Sequence, residues 1–184
     1  MTTENLELMG AGEAPSTSSP LDEREVVITR ILNAPRDRVF QAWTDGVLMK
    51  QWWGPNGFTN PVCDLDVRPG GEYRIVMRSP DGIEYPLKGV YTEVVPPAYL
   101  VLTDNWEEHP AEWKEALREA QGDDRLVEEA VNFVTFVDDG GGRTQLTIRS
   151  RFSSPAVRNA MLQQGMNEGW TQSLERLERL LSTK

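Results

Sequence analysis

Only one cysteine, Cys63, and one histidine, His109, occur in the 184 residues. A single thiol cannot form an internal bridge, and these two residues cannot build a Cys-based zinc site, so disulfide scaffolds and zinc modules are excluded. The unpaired thiol fits a reducing cytoplasm. Long apolar runs are missing too: no stretch approaches the ~18 consecutive apolar residues of a membrane helix, and the N-terminus lacks the basic and apolar regions of a secretory signal. The sequence therefore reads as a soluble, cytoplasmic protein without a membrane partner. Positive charge is scarce, with 19 Lys and Arg against 29 Asp and Glu and a net charge of −10. A polyanion would be repelled, and no basic stripe offsets this, so nucleic acid is excluded. Gly140-Gly141-Gly142 lacks the Lys-Ser/Thr ending of a phosphate loop. No metal-ligand cluster or cofactor motif is found, and none is expected to be needed.

What remains is ordinary globular material, with 39% apolar and 26% charged residues, in a length that suits one domain. The acidity is local. Residues 1–24 carry Glu4, Glu7, Glu13, Asp22 and Glu23 against Arg24, a balance of −4. Residues 104–129 carry ten acids against Lys114, Arg118 and Arg125, a balance of −7. The rest of the chain is nearly neutral. Both acidic runs read either as solvated surface or as docking surface for a basic partner.

Residues 1–22, rich in Gly, Pro and Ser with no sustained period, read as a disordered tail preceding a domain at 23–184. The domain opens with a β-branched strand from Glu25, where Val26, Ile28 and Arg30 alternate with Val27, Thr29 and Ile31. Pro35 starts a first short helix carrying Val39, Phe40 and Trp43, and a second short helix covers about 45–52. The period then changes to two. Strands are legible near 61–67, 71–79, 84–95, 99–105, 128–137 and 143–152, separated by Gly- and Pro-bearing turns. Strands connected so closely form an antiparallel sheet. An acidic helical insertion, about 107–127, holds a helix from Pro110 to Gln121 with Trp113 and Leu117 on one side. A long helix, capped by Ser154 with Pro155 in its first turn, closes the chain.

That last helix sets the functional expectation. Met166, Trp170, Leu174, Leu177 and Leu181 share one stripe, whereas Val157 and Met161 fall on the opposite side, so a bend is predicted near Gly165. Gly165 and Gly169 are each poor helix formers, and either close backbone packing or open space must account for them. The facing residues are bulky and partly polar, namely Tyr73, Met77, Tyr85 and Tyr91 on strands. Such a set reads either as a plain aromatic core or as a lined pocket, and inward tyrosines, whose hydroxyls need partners, favour the pocket.

Several ordered sequence words carry a family resemblance. They are Ala34-Pro35-Arg36 with Val39-Phe40-Gln41-Ala42-Trp43-Thr44-Asp45, then Trp52-Trp53-Gly54-Pro55-Asn56-Gly57-Phe58-Thr59, Arg68-Pro69-Gly70-Gly71, Pro80-Asp81-Gly82, and Gly89-Val90-Tyr91 with Glu93. Pro96-Pro97 with Leu100, Gly165-Met166, and Gly169-Trp170 with Leu174 and Leu177 complete the set. Over about residues 25–184 the chain resembles the homologues of the activator of the 90-kDa heat-shock chaperone ATPase. The resemblance implies an α+β, START-like or SRPBCC, helix-grip fold: a curved antiparallel sheet wrapped around a long C-terminal helix, with two short helices after the first strand. It also implies a hydrophobic cavity, in a superfamily that includes ligand binders, cyclases and the activator itself. The activator works with a separate N-terminal chaperone-binding domain that the polar tail does not supply.

Three functions follow as expectations. The first is binding of a small, largely apolar molecule between sheet and C-terminal helix, at a site lined by Trp52, Trp53, Phe58, Tyr73, Ile75, Met77, Tyr91, Met166, Trp170 and Leu174. The second is a cyclase- or hydratase-like enzyme in the same cavity, for which Tyr73, Arg74, Tyr91, Glu93 and Arg149 are inward polar candidates, though no catalytic set is assigned. The third is a chaperone-associated or protein-interaction role through the acidic insertion. A homodimer is also compatible with the sequence. His109 reads as a surface histidine and Cys63 as a buried structural one.

Overall fold

The structure, a computed structural model, describes residues 22–122 and 129–183. The expected tail at 1–22 therefore lies outside the described residues except for Asp22, as do positions 123–127 of the insertion and residue 128 at the start of the following strand. The chain runs β1 (Glu25–Leu32), α1 (Arg36–Thr44), α2 (Gly46–Trp52), β2 (Thr59–Leu65), β3 (Glu72–Arg78), β4 (Glu84–Val95), β5 (Tyr99–Asn105) and α3 (Ala111–Gln121). It ends with β6 (Glu129–Gly140), β7 (Arg143–Phe152), α4 (Pro155–Gln163) and α5 (Met166–Ser182). The strands form one antiparallel sheet of seven in the order β1-β7-β6-β5-β4-β3-β2.

Period-two patterning decides which face is covered. Tyr73 and Ile75 of β3, Tyr91 of β4, Leu100 of β5, Val134 and Phe136 of β6, and Leu146 and Ile148 of β7 are all buried. The register places them on one face: Tyr91 lies opposite Leu102, Leu102 opposite Asn132, and Val134 opposite Ile148. Helices lie over this face. Val39, Phe40 and Trp43 of α1 and Leu174, Leu177 and Leu181 of α5 complete the main core, each large side chain contributing on the order of 1.5–3 kcal/mol by burial. A second cluster gathers Trp106, Leu117, Val157, Ala160 and Phe152 beneath α3 and α4.

Local chemistry explains the element ends. Asp45 accepts from the backbone N–H groups of Val47 and Leu48 to open α2, and Ser154 accepts from Val157 N–H, with Pro155 in the first turn of α4. The C-terminal helix is not continuous: Gly165 adopts φ +85° and separates α4 from α5, so the bend expected there is a full break. It lets Val157 and Met161 on one segment and the Leu174 stripe on the other both reach the interior. Strand β2 starts earlier than the alternation indicates, at Thr59, and leaves the ladder after Leu65 pairs with Tyr73, where the chain turns through Pro69-Gly70-Gly71. Among the described residues no helix is long and apolar enough to cross a membrane.

Candidate functional site

Between the two clusters lies a pocket of about 350 Å³, within the ~300–1,000 Å³ range of small-molecule sites. Its first side is the loop after α2. Trp52 is fully buried and donates its indole N–H to the Ala42 carbonyl at 2.9 Å, while Trp53, Gly54, Pro55 and Phe58 face the pocket. Arg176 of α5 pins this loop by donating to the carbonyls of Gln51, Gly54 and Pro55 at 3.1, 2.9 and 2.8 Å, satisfying acceptors left open at the end of α2. Trp170 of α5 stands edge-on to Trp53 at 5.3 Å between ring centroids and stacks on Trp43 at 6.0 Å.

The sheet supplies Met77, Tyr85 and Leu87, and next to them a polar strip. Asp104 of β5, Asn132 of β6 and Ser150 of β7 all occupy inward positions and line the pocket. Ser150 donates to the Asn132 side-chain oxygen at 2.5 Å, the Asn132 amide donates to the Asp104 carboxyl, and the Tyr73 hydroxyl is shared between Asp104 and the Thr103 carbonyl, the latter at 2.8 Å. Burial raises the Asp104 carboxyl to about 6, against the pull of Tyr73 and Asn132 toward lower values. The same burial, with the carboxyl beside it, pushes the Tyr73 hydroxyl well above its ordinary range.

The third side belongs to the acidic segment. His109, expected at the surface, is half-buried on the pocket wall. It is drawn there because Trp113 of α3 packs on its ring at 4.5 Å and Tyr85 of β4 at 5.7 Å. Its Nδ1 lies 2.8 Å from the Pro86 carbonyl; a carbonyl only accepts, so Nδ1 carries the proton and Nε2 is left as an acceptor. Burial lowers the imidazole to about 4 and keeps it neutral at pH 7. Glu108 anchors the segment to the sheet through Arg74 at 2.7 Å and Lys88 at 3.2 Å. The insertion is thus a wall of the pocket, and Glu108 is engaged internally.

Of the residues named from sequence for the site, Trp53, Phe58, Met77, Met166 and Trp170 line this pocket. Trp52, Ile75, Tyr91 and Leu174 sit instead in the main core behind it, each at most 2% exposed, and Tyr73 reaches it only through its bond to Asp104. Three of the inward polar candidates point elsewhere. Arg74 pairs with Glu108, Glu93 is exposed and accepts from the Tyr99 hydroxyl, and Arg149 lies over the Phe133 ring on the opposite face of the sheet. Cys63 is buried, and desolvation lifts its thiol to about 11, which makes it inert. Among the described residues no group of His, Cys, Asp or Glu could hold a metal ion.

Comparison with known proteins gives the family. A family model described as Activator of Hsp90 ATPase homolog 1-like protein matches residues 33–182. The chain belongs to this family. No curated protein matches it. Among solved structures it is similar to a protein from Nitrosomonas europaea, at 26% identity over 88% of this chain and 96% of that one, with a TM-score of 0.72. A Mycobacterium smegmatis protein is 26% identical over 89% and 94% of the two chains, TM-score 0.72. The AHSA1 protein of Silicibacter pomeroyi, 24% identical over 86% and 97%, shares the fold with a TM-score of 0.65. The seven-stranded curved sheet and its helices are accordingly the helix-grip fold of START-like proteins, here in an AHSA1-like chain.

Sequence reasoning in this AHSA1-like chain missed Asp104, Trp106, His109, Asn132, Ser150 and Phe152 on the wall. A usable signal existed for three of them. Asp104, Asn132 and Ser150 continue the parity of Leu102, Val134 and Ile148, so a polar residue was standing at an inward position on three adjoining strands.

Proposed function

We propose that this protein binds a small, largely apolar compound in the pocket between its sheet and helices α3, α4 and α5. One observation carries the reading: about 350 Å³ remains open beneath Trp170, walled mainly by aromatic and methionine side chains. Interiors normally close to crystal-like density, and an apolar hollow of this size represents dispersion contacts that a ligand would restore. Membership of a helix-grip family supports it, since a sheet curved around a broken helix leaves such a hollow by construction.

The test uses N-phenylnaphthylamine, a dye that fluoresces only out of water. Saturable binding at one site per chain is expected, with quenching of tryptophan emission, because Trp53, Trp106, Trp113 and Trp170 surround the pocket. Gly169→Phe should abolish it, since a Cβ at Gly169 meets only Pro55 Cγ at 3.9 Å and the ring would project into the hollow. Equal dye binding by the folded filled variant, or none by the parent chain, overturns the reading.

A further inference from the structure

The composition of the wall narrows the ligand's chemistry further, on the premise that the pocket is a binding site. Among the described residues no lysine or arginine lines it. Its titratable side chains are Asp104, His109 and Tyr85. His109 has committed its Nδ1 proton to the Pro86 carbonyl and offers no positive charge. A carboxylate or phosphate ligand would thus bring its anion to a wall that holds a carboxyl and no cation, which low dielectric makes unfavourable.

Asp104 has the opposite potential. It accepts from Tyr73 and from Asn132, yet a carboxylate has about four acceptor positions, so capacity remains for a donor from the pocket side. The same pocket is lined by the rings of Trp106, Trp113, Phe152 and Trp170, and aromatic faces attract cations by their quadrupole. The chain's net charge of −10 raises the local concentration of cations as well. We propose that the pocket binds hydrophobic organic cations: a protonated amine on an apolar body, with the ammonium seated on Asp104 and the body against the aromatic wall.

An alcohol of the same shape is the discriminating comparison, because it can donate one hydrogen bond but cannot neutralise the carboxylate. Phenylbutylamine, phenylbutanol and phenylbutyrate, titrated calorimetrically at about pH 7, separate the cases. The amine is expected to bind at least tenfold more tightly than the alcohol, and the acid more weakly than either. Asp104→Asn should bring the amine down to the alcohol's affinity while leaving the alcohol within about threefold, a shift in charge pairing that loss of packing would not produce. The parent chain supplies an independent readout. Asp104 interacts with Tyr73 from β3 and Tyr91 from β4 and shares the pocket with Tyr85 from β4 and His109 after β5, and α4 and α5 place no titratable side chain on the wall. Of Asp104 and His109, only Asp104 changes charge near pH 6, so amine affinity should fall tenfold per pH unit below about 6 and alcohol affinity should not. Equal binding of alcohol or acid and amine, undiminished amine binding by a folded Asp104→Asn variant, or a flat amine profile down to pH 5 overturns the cation proposal and leaves pocket binding standing. No saturable binding by any of the three compounds overturns both.

Discussion

Asp104 and His109 titrate on opposite sides of their ordinary values, and burial in the same wall causes both shifts. His109 takes up its proton near 6.5 when unfolded and near 4 when folded. In that window the unfolded chain holds more protons, so stability falls as pH drops, by roughly 3 kcal/mol in all at about 1.4 kcal/mol per unit. Asp104 is the reverse, binding its proton near 6 when folded and 3.8 when unfolded; stability rises as pH falls through its window, again by roughly 3 kcal/mol. The two nearly cancel. Glu108, held near 2 by Arg74 and Lys88, acts at lower pH. Removing either partner unmasks the other: Asp104→Asn should be more stable than the parent at pH 7 and lose that advantage on acidification, whereas His109→Gln should gain stability toward pH 4. Urea midpoints across this range measure both, and two variants with parallel profiles would contradict the assignment. A site that holds a charge at a cost to stability is the usual trade of function against folding.

At the scale of elements, the junction of α4 and α5 assigns different work to two glycines that look alike in the sequence. Gly165 has φ +85°, and a methyl group added there would meet no neighbour, so the cost of any side chain at this position lies in the backbone conformation alone. Gly165→Ala should therefore destabilise by about 1 kcal/mol. Gly169 lies within α5, where an added Cβ meets only an ordinary contact with Pro55, so Gly169→Ala should stabilise by roughly 0.5–1 kcal/mol. Chemical denaturation of the two variants should give shifts of opposite sign; shifts of the same sign would mean that the break is not held by Gly165. The periodicity of Val157 and Met161 against Leu174 and Leu177 made the bend legible, because two stripes on opposite sides cannot both be buried by one straight rod. It did not show that the helix would divide, which depends on the left-handed conformation at a single residue. The insertion was legible as a helix able to cover a pocket or dock a partner, but its contacts were not, because nothing local to His109 indicates that Tyr85, distant in sequence, will meet it.

On the scale of the molecule, the antiparallel sheet was legible from alternation and short turns, since hairpin connections force neighbours in sequence to be neighbours in the sheet; the pairing of β1 with β7, far apart in sequence, was not. The pocket was legible only in part. Met166 and Trp170 could be placed on a helix stripe facing Met77 of the sheet, but whether Tyr91 or Asp104 reaches the hollow depends on where the sheet departs from its covering helices, a property of the whole fold. Net charge acts at this scale too, and at −10 it favours the approach of cations over anions to the molecule. The proposed function rests on occupation of that hollow, and methionine methyl groups report it most directly. Met77, Met161 and Met166 line the pocket, whereas Met49 is 3% exposed in the main core. In ¹³C-methyl-methionine NMR, saturation with phenylbutylamine should move the first three resonances and leave Met49 in place; three unmoved pocket methyls, or a shift confined to Met49, would contradict it.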